Sequence, residues 1–456
     1  MTSVLLIYPF FRPRYDNSQF RFPPLGLTYV AASLRAAGHS VRLLDCSFLE
    51  KEEALAMALA SGAEVVGVYS MITLREESLL FARALKKTAA LLVAGGPLPT
   101  TDPSLFLSDF DLVVIGEGES TTRELVEAYE EGRPFPSVKG LAYRTAGGRG
   151  ELVSSWASSP SRPLEPNLDS LPFPARDLLP NRSYIEQGRR KYGYSITTVM
   201  SSRGCPFACE FCSNAVFGRG YRERSSGKVA DEVEEALSYG YDRIHFGDDV
   251  FTLRKGRILE ICAEFERRRL RFSWECLGRV DSIDAEVATA MRGAGCDRIF
   301  FGIESGSERV LRLMNKLITP HRAKSAIEAA RAAGIRTGAF FILFYPGDDD
   351  DSTLETIRFA TSLPLDYLSF SLPYPIPGTA LHERVKDRSI LDWRQPHGLI
   401  FDHCRIFDAD FSEAKMKIGL VKAKIEFELS RHKSVAGSMA LGLFRPASDF
   451  LLRRLK

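Results

Sequence analysis

The chain has 456 residues, more than one compact core usually accommodates, so two or three domains are expected. Sixty basic residues against 58 acidic ones leave a formal charge of +2, which provides no general field for gripping a nucleic-acid backbone. Eight cysteines, three of them clustered, do not form a secreted disulfide framework. Without a signal peptide or a long apolar run, they predict a protein of the reducing cytoplasm.

Residues 1–131 alternate short apolar strands with helices. The predicted strands are 4–8, 40–45, 65–69, 90–94 and 112–115, and the predicted helices are 26–37, 52–60, 76–88 and 121–130. This alternation predicts a parallel sheet covered on both faces, a doubly wound, Rossmann-like α/β domain. Ligands bind at the carboxyl ends of such strands. The candidate ligand-binding residues there are Pro24, Leu25, Gly26, Ser70, Gly95, Gly96, Gly116 and Glu117.

Residues 132–195 are rich in proline, glycine and serine, which predicts an irregular connection. Within it, 139–144 and 151–154 could pair as a small hairpin. A second βα series spans 196–385, with predicted strands at 196–201, 243–246, 272–276, 298–302, 337–343 and 367–373. Six βα units indicate a partial barrel rather than a closed eight-fold one. Residues 386–456 are predicted to be helical, with a basic amphipathic end.

Cys205, Cys209 and Cys212 form a CxxxCxxC loop directly after the first predicted barrel strand. Three thiolates at this spacing can each bind a different iron of a [4Fe–4S] cubane and leave one iron open for an external ligand. A zinc loop is the alternative, but zinc sites usually need four protein ligands, and no second cysteine pair is present. Phe211 could shield the cluster or be an ordinary core aromatic residue.

From this motif onwards, residues 195–385 resemble the radical S-adenosylmethionine (SAM) superfamily. The resemblance implies that SAM chelates the open iron and is cleaved reductively to methionine and a 5′-deoxyadenosyl radical. Gly247, Asp248 and Asp249 look like the segment that meets the methionyl amine, although the commoner form is Gly-Gly-Glu. Glu304 and Ser305 resemble the motif that lines the adenosyl portion, and Arg279 is similarly placed to meet polar groups of SAM.

The N-terminal domain looks like the cobalamin-binding domain fused to many radical SAM proteins. It lacks the Asp-x-His-x-x-Gly motif that supplies a lower histidine ligand. His39 is instead expected to be a surface residue of a helix-to-strand turn, so no protein histidine would bind cobalt. Loss of cobalamin, with the domain kept as a structural cap, is the alternative.

The resemblance implies a cobalamin-dependent methyltransferase acting on an unactivated carbon of a small-molecule or lipid-like substrate. A flavodoxin or ferredoxin would be the reductant, and no nucleic-acid partner is expected. A radical cyclase that forms C–C bonds, as in tetrapyrrole synthesis, is the first alternative. A tRNA methylthiotransferase and a non-catalytic iron–sulfur or cobalamin sensor are less favoured. The C-terminal segment could contact a membrane surface or pack on the barrel.

Several remaining residues have ordinary explanations. Cys46, Cys262, Cys276 and Cys296 lie in apolar surroundings and are expected to be buried. Cys404 lies in a region that could close over substrate. His245 could face the core or the barrel mouth, and the acidic run 348–351 is expected to cap a helix and face solvent.

Overall fold

The computed structural model describes residues 1–11, 22–88, 90–145, 155–390, 407–431 and 435–455. They form two compact units, Met1–Val199 with Asn214–Arg243, and Met200–Ser213 with the described chain from Ile244 onwards. The strands are β1 Ser3–Tyr8, β2 Ser40–Asp45, β3 Val65–Tyr69, β4 Leu91–Gly95, β5 Leu112–Val114, β6 Leu141–Arg144, β7 Trp156–Ser158, β8 Ile196–Val199, β9 Ser202–Arg203, β10 Arg222–Glu223, β11 Arg243–Phe246, β12 Ser273–Gly278, β13 Cys296–Glu304, β14 Arg336–Ile342 and β15 Tyr367–Ser371. The α-helices are α1 Leu25–Ala36, α2 Lys51–Leu59, α3 Arg75–Leu85, α4 Pro97–Thr101, α5 Gly118–Glu131, α6 Asn181–Tyr192, α7 Ser226–Ser238, α8 Lys255–Arg267, α9 Ala285–Gly293, α10 Glu308–Leu313, α11 Pro320–Ala332, α12 Asp350–Ser362, α13 Ala380–Val385, α14 Glu413–Arg431 and α15 Val435–Arg454.

The first unit contains a sheet with the strand order β2-β1-β3-β4-β5-β6-β7. Strands β1 to β5 pair in parallel, so the predicted doubly wound domain is confirmed. Its core lies on both faces of the sheet. Leu5 and Ile7 of β1 pack into one apolar cluster, and Val4 and Leu6 pack into the other. The uninterrupted apolar run in β1 is therefore explained by burial on both sides.

The connection between the predicted domains is more regular than its composition indicates. β6 pairs antiparallel with β5, and β7 pairs antiparallel with β6, so both strands extend the first sheet. The predicted partner of β6, residues 151–154, lies outside the described residues, and the observed partner is Trp156–Ser158. Helix α6 was not predicted, because Tyr184 is its only fully buried residue and leaves no apolar period to detect.

The second parallel sheet has the order β15-β14-β13-β12-β11-β8. Its six strands confirm the predicted partial barrel, and the observed strand bounds differ from the predicted ones by two residues or fewer at either end. The pairings from β12 to β15 are parallel, which brings the carboxyl ends of these strands to one edge. Of the predicted SAM-site residues, Arg279 follows β12, and Glu304 and Ser305 lie at the end of β13.

In the described residues from 413 onwards, the C-terminal region forms two helices of the predicted type, α14 and α15. Gly419 of α14 lies against Phe344, where a Cβ atom would stand 2.3 Å from the aromatic ring. Leu452 of α15 is fully buried. Helix α14 therefore packs against the segment that follows β14 within the second unit. In the described part of the chain, none of the helices is long and apolar enough to cross a membrane.

Candidate functional site

The CxxxCxxC loop is held by backbone and side-chain contacts within the second unit. The Glu210 N–H donates to the Met314 carbonyl at 2.9 Å, and the Asn315 side-chain amide donates to the Ala208 carbonyl at 2.8 Å. Cys205 and Cys209 are partly exposed and Cys212 is exposed, and none is in a disulfide. The three thiols therefore lie at or near the surface of the unit, and hydrogen bonds to Met314 and Asn315 hold the loop backbone.

Glu210, between the second and third cysteines, ties the loop to two later segments of the same unit. Its carboxylate accepts a hydrogen bond from the Tyr345 hydroxyl at 2.7 Å and an ion pair from Arg384 at 3.1 Å. Its carbonyl accepts from the Leu381 N–H at 2.9 Å. Arg384 also donates to the Pro346 carbonyl at 3.1 Å. The segment after β14 and helix α13 are therefore in direct contact with the cysteine loop.

The thiols are close enough to influence one another's ionisation. Burial raises the pKa of Cys205, and the Asp249 carboxylate and Cys209 add to the rise. Cys212 exposes part of its side chain, yet the protein packed around its sulfur removes enough water to raise its pKa to about 12, with further contributions from Cys209 and Cys205. Three crowded thiols of this kind need a cationic centre to become thiolates together.

The two predicted SAM-site aspartates after β11 are in different environments. Asp248 is 1% exposed, and its carboxylate accepts from the Ser201 N–H at 2.6 Å and the Ser202 hydroxyl at 2.9 Å. Burial raises its pKa to about 6, although the serine hydrogen bonds oppose the rise. Asp249 is exposed, and its Oδ2 accepts from the Gly204 N–H at 2.8 Å, next to Cys205. The preceding Gly247 is partly exposed.

Glu304, at the end of β13, forms an ion pair that the sequence did not predict. Its Oε1 lies 2.9 Å from Nζ of Lys316, and both side chains are buried. Glu304 has a φ of +71°, and the register of β13 against β14 shifts between Gly302 and Glu304. A Cβ atom on Gly302 would stand 2.7 Å from the Glu304 carboxylate. Gly302 therefore makes room for the pair, and strained backbone of this kind is concentrated at functional sites.

Arg279, Lys316 and the cysteine loop form one contact network. The Arg279 guanidinium stacks on the Phe207 ring, 3.5 Å from its centroid, and donates to the Lys316 carbonyl at 3.0 Å. It also pairs with Asp281 at 2.8 Å. The Lys316 ammonium lies 5.8 Å from the centre of the partly buried Phe211 ring. The charge of Arg279 is therefore paired with Asp281, and its guanidinium contacts the cysteine loop through Phe207.

Ser305 is buried within the second unit. Its side chain is fully buried, and its hydroxyl lies 2.8 Å from the Thr356 hydroxyl and accepts from the Ser307 N–H at 3.1 Å. His245, whose direction the sequence left open, is buried with Nδ1 at 3.3 Å from Glu275. Arg298 reaches the other oxygen of Glu275 at 3.5 Å. The sequence interpretation missed this trio because the three residues come from different strands.

In the first unit, the strand order is β2-β1-β3-β4-β5, so the chain adds β2 on one side of β1 and the later strands on the other side. The switch point of the sheet therefore lies between β1 and β3. Doubly wound domains bind their ligands outside the carboxyl ends of the strands at this point. Gly96 follows β4 with a φ of +115°, and a Cβ atom there would stand 2.4 Å from the Ser70 carbonyl. Ser70 is buried and donates its N–H to the Gly95 carbonyl at 2.8 Å. Only glycine can therefore follow Gly95 at this edge.

The other predicted residues at this edge lie at helix starts. Pro24 precedes α1 and is buried, Leu25 is partly exposed, and Gly26 is exposed with nothing within 4 Å of a Cβ position. Gly116 donates its N–H to the Thr100 hydroxyl at 3.1 Å. Glu117 pairs with Arg222 at 2.9 Å and accepts from the Glu165 N–H at 2.8 Å, so its carboxylate is engaged within the unit.

The expectation for His39 was wrong in one respect. The side chain follows a turn, as predicted, but it is 8% exposed rather than on the surface, because it packs at the start of β2 with Nδ1 3.9 Å from Glu130. This is the end of the sheet opposite the carboxyl edge. The acidic run also needs correction: Asp349 caps α12, whereas Asp348 is buried. Cys404 lies outside the described residues, and the four other cysteines are buried as predicted.

Both implied cofactors can be tested against these residues. Among the described side chains, no group of three His, Cys, Asp or Glu could hold a single metal ion. In a cubane each thiolate binds its own iron, so the wider spacing of a three-cysteine loop suits a cluster. At the glycine-rich edge, helices α1 and α5 begin without a side-chain cap among the described residues. Their N–H groups can therefore serve a phosphate-bearing ligand such as cobalamin.

Residues 199–360 match the radical SAM superfamily, and residues 13–126 match the B12 binding domain. The chain is 34% identical over 385 residues to the uncharacterized methyltransferase PH0819 of Pyrococcus horikoshii, covering 82% of this chain and 81% of that protein. It is 29% identical to the anaerobic magnesium-protoporphyrin IX monomethyl ester cyclase of Cereibacter sphaeroides, covering 84% of this chain and 64% of the cyclase.

Among solved structures, the chain is similar to the radical SAM methyltransferase TsrM of Kitasatospora setae, with cobalamin and a [4Fe–4S] cluster bound. The TM-score is 0.71 at 20% identity, covering 85% of this chain and 78% of TsrM, which supports the fold. The family assignment rests on the two matched regions and on the 34% identical relative. The chain belongs to the cobalamin-dependent radical SAM methyltransferase family and is an enzyme whose cofactors are a [4Fe–4S] cluster, SAM and cobalamin.

Proposed function

We propose that this enzyme methylates an unactivated carbon of a small-molecule or lipid-like substrate. The observation that carries the proposal is the contact network around the cysteine loop. Asp249 bonds the loop backbone beside Cys205, and the Glu304–Lys316 pair and the Arg279–Phe207 stack lie against the same loop. Acidic and basic groups are thereby concentrated around three thiols, which suits a zwitterionic amino-acid ligand such as the methionyl part of SAM.

The residues near the loop have distinct proposed roles. Cys205, Cys209 and Cys212 hold the cluster, and Phe211 shields it. Asp249 is exposed and meets the SAM amine, while buried Asp248 positions the Ser201–Ser202 segment that leads into the loop. Glu304 and Lys316 offer one negative and one positive group to SAM. When bound, the cluster supplies the electron for SAM cleavage and cobalamin carries the methyl group.

In the first unit, we assign the cobalamin tail to the edge lined by Gly26, Gly95 and Gly96. The open Cβ position of Gly26 and the tight turn at Gly96 support a close backbone approach there. His39 lies at the other end of the sheet, which supports cobalt without a protein histidine. The division of the chain near residues 131, 195 and 385 remains a proposal, as does the cytoplasmic location indicated by cysteine usage.

A radical cyclase is the second candidate, because a curated relative over most of this chain is named as one. Both candidates need a low-potential reductant of the flavodoxin or ferredoxin class. The near-zero net charge supports neither a nucleic-acid substrate nor the methylthiotransferase alternative. A sensor without catalysis would have no use for the buried Glu304–Lys316 pair beside the loop.

The test is a count of the products made from SAM. The enzyme is purified without oxygen, supplied with iron, sulfide and hydroxocobalamin, and incubated with SAM and dithionite. Methyl transfer by this chemistry consumes two SAM molecules in different ways, so both S-adenosylhomocysteine and 5′-deoxyadenosine should form, with S-adenosylhomocysteine limited to about the amount of bound cobalamin because no methyl acceptor is supplied. Omitting cobalamin should remove S-adenosylhomocysteine and leave 5′-deoxyadenosine.

A cyclase would form 5′-deoxyadenosine without cobalamin-dependent S-adenosylhomocysteine. That result would contradict the proposed methylation and favour the radical cyclase. A protein that forms neither product, while holding a full cluster, would be a sensor. The matched control is Cys262→Ala, since Cys262 is a buried cysteine of α8 away from the loop and should leave both products unchanged.

A further inference from the structure

The α14–α15 pair buries several charged side chains between its two helices. Lys422 and Glu426 of α14 are 2% and 0% exposed and are ion-paired with each other. Asp449 of α15 forms an ion pair with Lys422 at 2.7 Å, and Arg445 of α15 forms one with Glu426 at 2.8 Å. Charged side chains in a surface helix pair normally face solvent, because burying them carries a desolvation penalty. Here they lie between the helices.

The opposite side of α15 is exposed and apolar. The outer face of α15, as the term is used below, consists of Met439, Leu443, Ala447, Phe450 and Leu451, spaced as one stripe of a helix. Met439, Leu443, Phe450 and Leu451 are 64%, 76%, 60% and 50% exposed. The two charged residues between 438 and 451, Arg445 and Asp449, turn to the ion pairs between the helices. This stripe exceeds the isolated apolar residues common on protein surfaces.

Cations lie at both ends of this face. Arg454 continues the stripe one turn beyond Phe450, and its guanidinium stands 4.8 Å from the Phe450 ring centre. Arg431, exposed at the end of α14, is four residues before the start of α15. An apolar stripe bordered by arginines matches the boundary between acyl chains and anionic headgroups.

A second copy of the chain fits this face less well. If two copies paired across it with antiparallel α15 helices, Arg454 of each would approach the Arg431 end of the other. With parallel helices, Arg454 would approach Arg454. Either arrangement brings like charges together at the rim of an apolar contact, which disfavours pairing. Anionic headgroups would neutralise the same arginines.

We propose that the outer face of α15 docks the enzyme on an anionic lipid surface, with the helix lying in the plane of the interface. The apolar stripe enters the acyl boundary, and Arg431 and Arg454 meet the phosphates. The inward ion pairs then serve a second purpose, since they keep charge off the surface that enters the lipid. This proposal does not depend on the reaction that the enzyme catalyses.

The experiment measures binding of the full-length, anaerobically reconstituted enzyme to vesicles of phosphatidylcholine with phosphatidylglycerol and to vesicles of phosphatidylcholine alone. The enzyme should sediment with the anionic vesicles, and added salt should weaken this binding. Leu443→Asp should lower the affinity at least tenfold. Arg454→Gln should lower it about fivefold, which is about 1 kcal/mol for one cation near an anionic surface.

The control is Met57→Asp on α2, which replaces a comparably exposed apolar side chain, 50% accessible, in the other unit. It should bind vesicles like the wild type. All three variants should keep wild-type iron content and melting temperature, because the altered side chains are exposed. A wild-type enzyme that ignores anionic vesicles would overturn the proposal. Normal vesicle binding by Leu443→Asp would also overturn it. A wild-type dimer that Leu443→Asp converts to a monomer would overturn it too, because a second copy of the chain would then cover the outer face of α15.

Discussion

Replacement of Asp248 by asparagine should change how the stability of the enzyme depends on pH. Asp248 is 1% exposed, and burial raises its pKa from 3.8 to about 6. The difference between the two values corresponds to about 3 kcal/mol of unfolding free energy. The folded protein binds this proton more tightly than the unfolded chain does. Its contribution to stability is therefore present in full below about pH 4 and is lost as the pH rises through about 6.

Asparagine cannot ionise, so the variant escapes this loss. Its side-chain carbonyl can still accept from the Ser201 N–H, and its amide can donate to the Ser202 hydroxyl, whose proton rotates to suit. Between about pH 5 and about pH 7.5, the wild type should therefore lose between about 1 and 2 kcal/mol relative to Asp248→Asn. For a cooperative unit of this size the change amounts to a few degrees in melting temperature.

The assay is thermal unfolding of cluster-free wild type and Asp248→Asn across this pH range, so that metal content does not contribute. Asp242→Asn is the control of opposite sign. Hydrogen bonds from Arg189 and Ser195 hold the pKa of Asp242 well below its usual range, so its stabilisation is fully present above its unfolded pKa. Its difference from wild type should stay flat above about pH 5. A flat difference for Asp248→Asn as well would refute the reasoning.

Two further substitutions test the packing of the proposed sites. Gly96→Ala should lower the unfolding free energy by at least about 2 kcal/mol and weaken cobalamin retention, since its Cβ would collide with the Ser70 carbonyl at a φ of +115°. Gly26→Ala has nothing within 4 Å of its Cβ position and should leave the unfolding free energy unchanged, so equal losses of stability in the two variants would contradict the collision at Gly96. Lys316→Met leaves the Glu304 carboxylate buried and unpaired and should cost about 3 kcal/mol. Lys316→Met with Glu304→Gln should recover most of that loss in thermal unfolding, and no recovery would show that the pair is not coupled.

The regular part of the fold was predictable because burial on both faces leaves a clear trace in the sequence. Strand β1 reads as an uninterrupted apolar run, and the strands at 40–45 and 65–69 were predicted with the observed bounds. Helix α6 was missed because it is polar and follows a proline-rich stretch. The pairing of β6 with β5 and β7 depends on long-range contacts that no local pattern records.

At the site, the sequence identified the residue types but not their division of work. The Asp248-Asp249 pair was predicted as one unit, yet the turn after β11 buries the first carboxylate and exposes the second. Lys316 was missed because it lies outside any motif, in a loop where Asn315 and Leu317 both have positive φ. That unusual backbone directs Lys316 inward to Glu304. Neither the loop conformation nor the partner follows from spacing alone.

The central claim is that Cys205, Cys209 and Cys212 together hold the cluster that cleaves SAM. It is tested most directly by the 5′-deoxyadenosine formed by anaerobically reconstituted enzyme with SAM and dithionite, measured with the iron–sulfur absorption near ~400 nm. Each of Cys205→Ala, Cys209→Ala and Cys212→Ala should lose both signals, because a cluster with an open iron cannot spare a ligand. Cys262→Ala should keep both, at a packing cost of about 1–2 kcal/mol. Full absorption and full 5′-deoxyadenosine formation in any of the three loop variants would contradict the account.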